Sequence, residues 1–239
     1  MDGIQVMAAR ETEAPDRGLY AAMKGGHNEE SHNHNDVGHF VVYADGQPVL
    51  IDAGVEEYSA KTFSDRRYEI WTMQSGYHSV PTINGHMQRN GSRYRAAEAS
   101  YSAGDGVTQL TLNIAPAYEP EAGIVSWVRT CRMVRHPRSA VELEESYSFG
   151  KPEEAGFALN FMTCCLPDTG TEGVVLLSRG GLAALRMDYE AGQFEASVDT
   201  IVLEDKKLRN SWGDCLYRIV LTPVRPKRSG SHLIRFTQP

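Results

Sequence analysis

At 239 residues, with 41% hydrophobic and 23% charged side chains, the chain has an ordinary globular composition and enough length to bury one large core. No apolar run approaches the roughly 20 residues of a membrane-spanning helix. A net charge of −7 disfavours nucleic acid as a partner, because phosphate binding needs a basic surface.

The opening "MDGIQVMAARETEAPDRG" has neither the basic nor the apolar segment of a signal peptide, so none is expected in this chain. Beyond it the dominant hydrophobic period is two, not 3.6. Strands are predicted at 3–9, 18–24, 38–44, 48–52, 79–84, 92–101, 107–115, 124–134, 140–149, 156–164, 172–178, 181–188, 193–198, 215–223 and 232–237. Asp45-Gly46 in "YADGQPVLID" and Gly180-Gly181 in "SRGGLA" supply the positive φ angles of tight reversals. This pattern predicts an all-β fold, a large antiparallel β-sandwich of stacked multi-stranded sheets, in a single domain over residues 1–239.

The connection 53–76 lacks alternation, and its Tyr58, Tyr68 and Trp71 argue for order, which points to a functional loop. Between residues 61 and 95 the cations Lys61, Arg66, Arg67, Arg89, Arg93 and Arg95 outnumber the acids Asp65 and Glu69, a setting that focuses an anionic ligand. Cys131, Cys164, Cys165 and Cys215 lack C-x-x-C spacing, and buried free thiols are expected.

Six of the eight histidines, His27, His32, His34, His39, His78 and His86, fall in the first 86 residues. Metal sites need neutral imidazoles and a carboxylate converging from separate elements; His34, Asp52 and His78 meet that requirement, and suit Zn²⁺, if the strand after His34 pairs with the strand ending at Asp52. An unbroken two-residue hairpin at Asp45-Gly46, however, sets Asp52 opposite His39, so pattern alone leaves His39 a rival ligand and a hydrogen-bonded polar cluster an alternative. His32, two residues before His34, shares its face if the segment is extended and is placed for proton transfer; a polar surface strand is the bland alternative.

The run "GGHNEESHNHNDVGHFVVYADGQPVLIDAGVEEY", with "FSDRRY" and "GYHSVPTINGHMQ" after it, resembles the β-sandwich domain of heparinase II/III-like polysaccharide lyases. The later "IVSWVRTCRMVRHPRSAVELEESYSF" is similar to that domain's continuation, so the resemblance covers about residues 3–237 and rests mainly on 24–88. It implies Zn²⁺ bound by His34, Asp52 and His78, in preference to His39. It also implies His32 as a catalytic histidine facing a cleft, and Tyr68 as a substrate contact near the scissile bond. Ser31 and Ser79 stand where relatives often place asparagine, and "DAG" replaces the commoner "DPG".

The implied reaction is β-elimination on a uronic-acid polysaccharide such as a glycosaminoglycan or alginate. In such relatives an N-terminal α/α toroid supplies further proton-transfer and carboxylate-neutralising groups. No stretch here replaces a toroid, so the resemblance implies the C-terminal half of a lyase, weak or inactive alone, with the toroid as its partner. Arg66 and Arg67 suit bidentate pairing with carboxylate or sulfate, and Tyr58 and Trp71 are aromatic candidates for sugar contact. Two readings compete: a non-catalytic zinc-stapled domain that binds glycan or packs on a partner, and a 2-oxoglutarate/Fe(II) oxygenase-like site. The second takes its pattern from His34-Asn35-Asp36, His78 and Arg89.

Overall fold

Alternation of buried and half-buried residues builds the strands of the computed structural model, which describes residues 4–151 and 155–239. Gly3, at the start of the first predicted strand, lies outside the described residues. In chain order the strands are β1 (Val6–Arg10), β2 (Leu19–Lys24), β3 (His27–Asn28), β4 (Phe40–Ala44), β5 (Gln47–Leu50), β6 (Pro81–Ile83), β7 (Gly91–Arg95), β8 (Ala97–Ala103) and β9 (Val107–Asn113). They continue as β10 (Ile124–Val134), β11 (Ala140–Phe149), β12 (Phe157–Thr163), β13 (Leu166–Thr171), β14 (Val174–Arg179), β15 (Leu182–Asp188), β16 (Phe194–Val202), β17 (Cys215–Pro223) and β18 (Ser229–Thr237).

Two antiparallel sheets of eight strands each make the predicted sandwich. One runs β1-β2-β4-β5-β12-β17-β16, with β6 also pairing β12; the other runs β13-β14-β15-β18-β11-β10-β9-β8. A small ribbon of β3 and β7 stands apart. Phe40 and Phe161 of the first sheet meet Phe236 of the second with ring centroids 5.8, 6.1 and 6.2 Å apart, and all three are fully buried. Interdigitated aromatics of this kind carry much of a sandwich core.

Both predicted turns form. Asp45 and Gly46 have φ of 49° and 74°, and Ala44 opposes Gln47. Gly180 and Gly181 have φ of 58° and 81°, with Arg179 opposite Leu182. The first hairpin then breaks register: Tyr43 opposes Pro48, but Val42 opposes Leu50. This one-residue bulge removes the direct opposition of His39 and Asp52 that an unbroken hairpin requires.

Besides the two-residue β3, which no predicted strand covers, three further elements differ from the sequence expectation. β13, "LPDTGT", carries proline and glycine and is mostly exposed, as suits an edge strand with little hydrophobic signal. The predicted strand 92–101 divides into β7 and β8, which pair with β3 and β9 respectively. A seven-residue helix, α1 (Lys206–Trp212), is capped by Asp205, whose carboxylate accepts from the Leu208 N–H at 2.9 Å.

The connection 53–76 is ordered, as its aromatics implied, in four successive 3₁₀ turns at Ala60–Phe63, Arg67–Glu69, Trp71–Met73 and Ser75–Tyr77. All four cysteines are free. Cys131 and Cys165 are buried, whereas Cys164, in the turn beyond β12, and Cys215, at the start of β17, are only half-buried. No helix among the described residues is long and apolar enough to cross a membrane.

Candidate metal centre

Asp52 lies two residues beyond β5, between Ile51 and Ala53, which are buried in a second small core with Met162, Leu203, Leu208 and Leu216. Alternation turns the intervening carboxylate the other way, toward three histidines. His34 Nδ1 is 3.8 Å from Asp52 Oδ1, His78 Nδ1 is 3.6 Å from Oδ2, and His39 Nε2 is 3.9 Å from Oδ2. These separations are too long for hydrogen bonds. They approach the spacing of about 3.3 Å that donor atoms take around a tetrahedral ion with bonds near 2 Å.

The tautomer of His78 supports this use. Its Nε2 lies 3.0 Å from the Thr72 carbonyl, which can only accept, so Nε2 carries the proton and Nδ1 the lone pair. That Nδ1 is fully buried and has no hydrogen-bond partner. Burial pushes the His34 imidazole down, and pushes His39 down to about 4. Burial works against charge on Asp52, but the His78, His39 and His34 rings and the Gly54 N–H at 2.7 Å outweigh it and hold the carboxyl well below its usual range. Neutral imidazoles and an ionised carboxylate are the donor set for a divalent cation of borderline softness, so these residues fit zinc.

His34, Asp36, Asp52 and His78 each offer a ligand atom within 4.8 Å of the others. Asp36 is the member that the zinc reading of the sequence left out. Its carboxylate already pairs with Lys24 Nζ at 2.8 Å.

Side chains from distant segments hold the histidine-bearing loop in shape. Asn28 Oδ1 accepts from the Asp36 N–H, its amide donates to Gln88 Oε1, and Gln88 receives the Val37 N–H and donates to the Val37 carbonyl. Asn28 and Gln88 thus serve as a substitute strand partner for 36–37. Neither belongs to a chemical motif, so spacing carries no signal for them.

His32 corrects one expectation. Its φ is 59°, in the left-handed region, so the segment is not extended there: His32 is exposed while His34 is buried, and the two do not share a face. Tyr68 is brought to the same loop, its hydroxyl donating to Asn33 Oδ1 at 3.2 Å. Arg67 donates to the carbonyls of Asn33 and Thr62 at 2.9 and 3.1 Å, tying the 3₁₀ segment to the histidine loop.

The other predicted contacts engage neighbours of their own. Arg66 and Lys61 pair with Glu69, and Arg89 pairs with Glu119. Tyr58 packs on Phe63 beneath Lys207, and Trp71 packs on Tyr77 against the second core. A cavity of about 270 Å³ opens beside Tyr68, lined also by Asn35, Gln74, His86, Arg89 and Asn90.

The family model described as heparinase II/III-like, C-terminal, matches residues 3–234. No curated protein matches the chain. Among solved structures, the chain is similar to the heparan sulfate lyase of Pedobacter heparinus, with a TM-score of 0.74 and 13% identity over 97% of this chain and 34% of that one. It is similar to heparinase III, with a TM-score of 0.72 and 13% identity over 98% and 35%. A further heparinase III gene product gives 0.70 and 10% over 98% and 34%. At these identities the likeness is one of fold, and the chain spans about a third of the length of each.

Proposed function

The chain belongs to the heparinase II/III-like C-terminal family, and on that premise we propose that it is the zinc-binding β-sandwich of a lyase that cleaves uronic-acid-containing polysaccharide by β-elimination. The observation that carries this reading is the meeting of His34, His78 and Asp52 beside a loop that also bears the exposed His32 and is bonded to Tyr68. His34, Asp52 and His78 would hold the metal. Bound zinc supplies fixed positive charge that locks three separate chain segments together.

In β-elimination the C5–H bond breaks to a base, a C4–C5 double bond forms, and the C4–O bond breaks as an acid protonates the departing oxygen. The substrate carboxylate must be neutralised for C5 to become acidic. His32, in solvent and unencumbered by the metal set, is the proton-transfer group on this side. Tyr68, which lines the adjoining cavity, would meet substrate from the neighbouring 3₁₀ turn, and Arg67 holds that turn against the His32 loop. Arg66 is exposed but paired with Glu69, and it would exchange that partner for substrate carboxylate or sulfate; Tyr58 and Trp71, which pack on Phe63 and Tyr77 and do not line the cavity beside Tyr68, would contact sugar only further along a bound chain. A helical domain of the α/α-toroid type would supply the remaining acid–base and neutralising groups. Heparan sulfate and heparin are the first substrates to try, since solved structures of this fold carry heparan sulfate lyase and heparinase in their names.

The test has two arms. Elemental analysis of the purified chain should find one zinc per molecule, absent in Asp52→Ala. In an enzyme joining this domain to its helical partner, His32→Ala should abolish the ultraviolet absorbance of newly formed unsaturated uronate. Full activity in that variant would remove His32 from the mechanism, and zinc binding without any lyase activity would favour a non-catalytic glycan-binding domain. The oxygenase-like alternative is weakened by the engagement of Asp36 with Lys24 and of Arg89 with Glu119.

A further inference from the structure

A buried ion pair that the proposed chemistry does not use sits behind the candidate centre. Arg129 on β10 and Glu145 on β11 are direct cross-strand partners, and each side chain is 1% exposed. Trp127 Nε1–H donates to Glu145 Oε2 at 2.6 Å, and one Arg129 amino group donates to Glu145 Oε1. The other amino group crosses to the first sheet's loops, donating to the Gly38 carbonyl at 2.8 Å and the Ser79 carbonyl at 2.6 Å.

Those two carbonyls flank the histidines. Gly38 precedes His39, and Ser79 follows His78. The Ser79 N–H in turn donates to His39 Nδ1 at 2.9 Å. Gly38 has φ of 87°, and a Cβ there would meet Ile114 at 2.9 Å and the Arg129 Cδ at 3.5 Å, so glycine keeps this approach open. A buried ion pair is often no more stable than an apolar pair of equal volume, so its presence calls for a role other than stability.

We infer that Arg129, held by Glu145, is a positioning residue for the metal centre: by anchoring the Ser79 peptide it fixes His39 as the Nε2–H tautomer, a donor facing Asp52, which leaves His34, Asp52 and His78 as the ligands. The inference rests on the metal reading for its consequence but not for the tautomer itself. Because His39 Nδ1 accepts the hydrogen bond of the Ser79 N–H, the neutral ring carries its own proton on Nε2. That nitrogen is buried, unpartnered and 3.9 Å from Asp52 Oδ2, so it offers the carboxylate a donor and a cation no lone pair. The rivalry between His34 and His39 is thereby decided by a backbone N–H on a different segment.

The experiment is long-range ¹H–¹⁵N correlation of the histidine rings in the whole 239-residue chain, before and after zinc addition. His39 should show the Nε2–H tautomer in both states with no coordination shift, while His78 Nδ1 shifts on zinc. An Nδ1–H tautomer at His39, or a zinc-induced coordination shift at its Nε2, overturns the inference. Arg129→Lys keeps the charge but loses the fork; it should mix the His39 tautomers and weaken zinc about 10- to 100-fold in chelator competition, with the β-sheet circular dichroism retained. Wild-type tautomer and affinity in that variant overturn the positioning role. If Arg129→Lys does not fold, Glu145→Gln is measured for the same two readouts. A chain that shows the Nε2–H tautomer but binds no zinc overturns the metal reading and the positioning role together, and leaves the tautomer standing.

Discussion

Two polar clusters, buried except for the partly exposed Asp52 carboxylate, share the backbone at Gly38–His39 and His78–Ser79, and they are completed to different degrees. In the Arg129–Glu145–Trp127 cluster the charges are matched, and one guanidinium N–H, at Nε, lacks a partner. In the His34–His39–Asp52–His78 cluster, His78 Nδ1 and His39 Nε2 both lack partners, as do Asn35 Oδ1 and Thr72 Oγ1 close by along the chain. Buried polar atoms are nearly always paired, so the His78 Nδ1 lone pair beside the Asp52 carboxylate can serve a cation, while the His39 Nε2–H is a donor left without an acceptor. The charge-matched one is a place that holds its neighbours still.

Breaking the charge-matched cluster should have the largest effect. Arg129→Met leaves the Glu145 carboxylate buried without its partner, and a loss of about 3–5 kcal/mol is expected in urea denaturation. Adding Glu145→Leu to the same protein should recover most of it. A single variant that loses less than about 1 kcal/mol would mean that this cluster is no better matched than the histidine one.

The incomplete cluster should instead show itself through pH. Burial depresses the His39 imidazole from 6.5 to about 4, so the unfolded chain takes up that proton first as pH falls. The stabilisation from a neutral His39 is whole above about pH 6.5 and is lost progressively down to about pH 4. It amounts to something on the order of 3 kcal/mol in the metal-free protein. His34 is shifted in the same direction by the same cause. Denaturation midpoints across this window should fall with pH in the wild type and fall less steeply in His39→Gln.

Zinc should then finish what the fold leaves open. At a free concentration a hundredfold above its dissociation constant, a ligand that binds only the folded state adds about 2.7 kcal/mol. For a chain of this size that corresponds to a rise of roughly 5–10 °C in thermal midpoint, which differential scanning fluorimetry resolves. Asp52→Ala and His78→Ala should show no rise, while Arg129→Lys should need more zinc to reach it.

Much of this architecture is legible in the sequence, and the limits are physical. Period-two alternation marks most strands because each has one face on the core, and Asp45-Gly46 and Gly180-Gly181 mark reversals because their φ angles demand it. β13 escapes because an exposed edge strand with proline and glycine has no alternation to read. The convergence of His34, His39, Asp52 and His78 is visible as a cluster of types, but their division of labour is not. That division depends on a bulge between Val42 and Tyr43, and on which peptide N–H reaches which ring nitrogen. The exposure of His32 turns on a single left-handed φ that a non-glycine sequence does not announce.

The smallest effect separates the clusters from the loop that joins them to solvent. Tyr68→Phe removes only the hydroxyl that donates to Asn33 Oδ1, in a half-buried setting where a neutral hydrogen bond contributes about 0.5–1.5 kcal/mol. The loss of stability should lie near the bottom of that range, and zinc affinity should be unchanged, because the Tyr68 hydroxyl bonds Asn33 Oδ1 and the Asn33 amide reaches His34 at its carbonyl and not at its imidazole. If Tyr68 also meets substrate, catalytic efficiency in the two-domain enzyme should fall by far more than the stability change accounts for. Equal losses in both would mean that the hydroxyl serves only to fasten the 3₁₀ turn to the His32 loop.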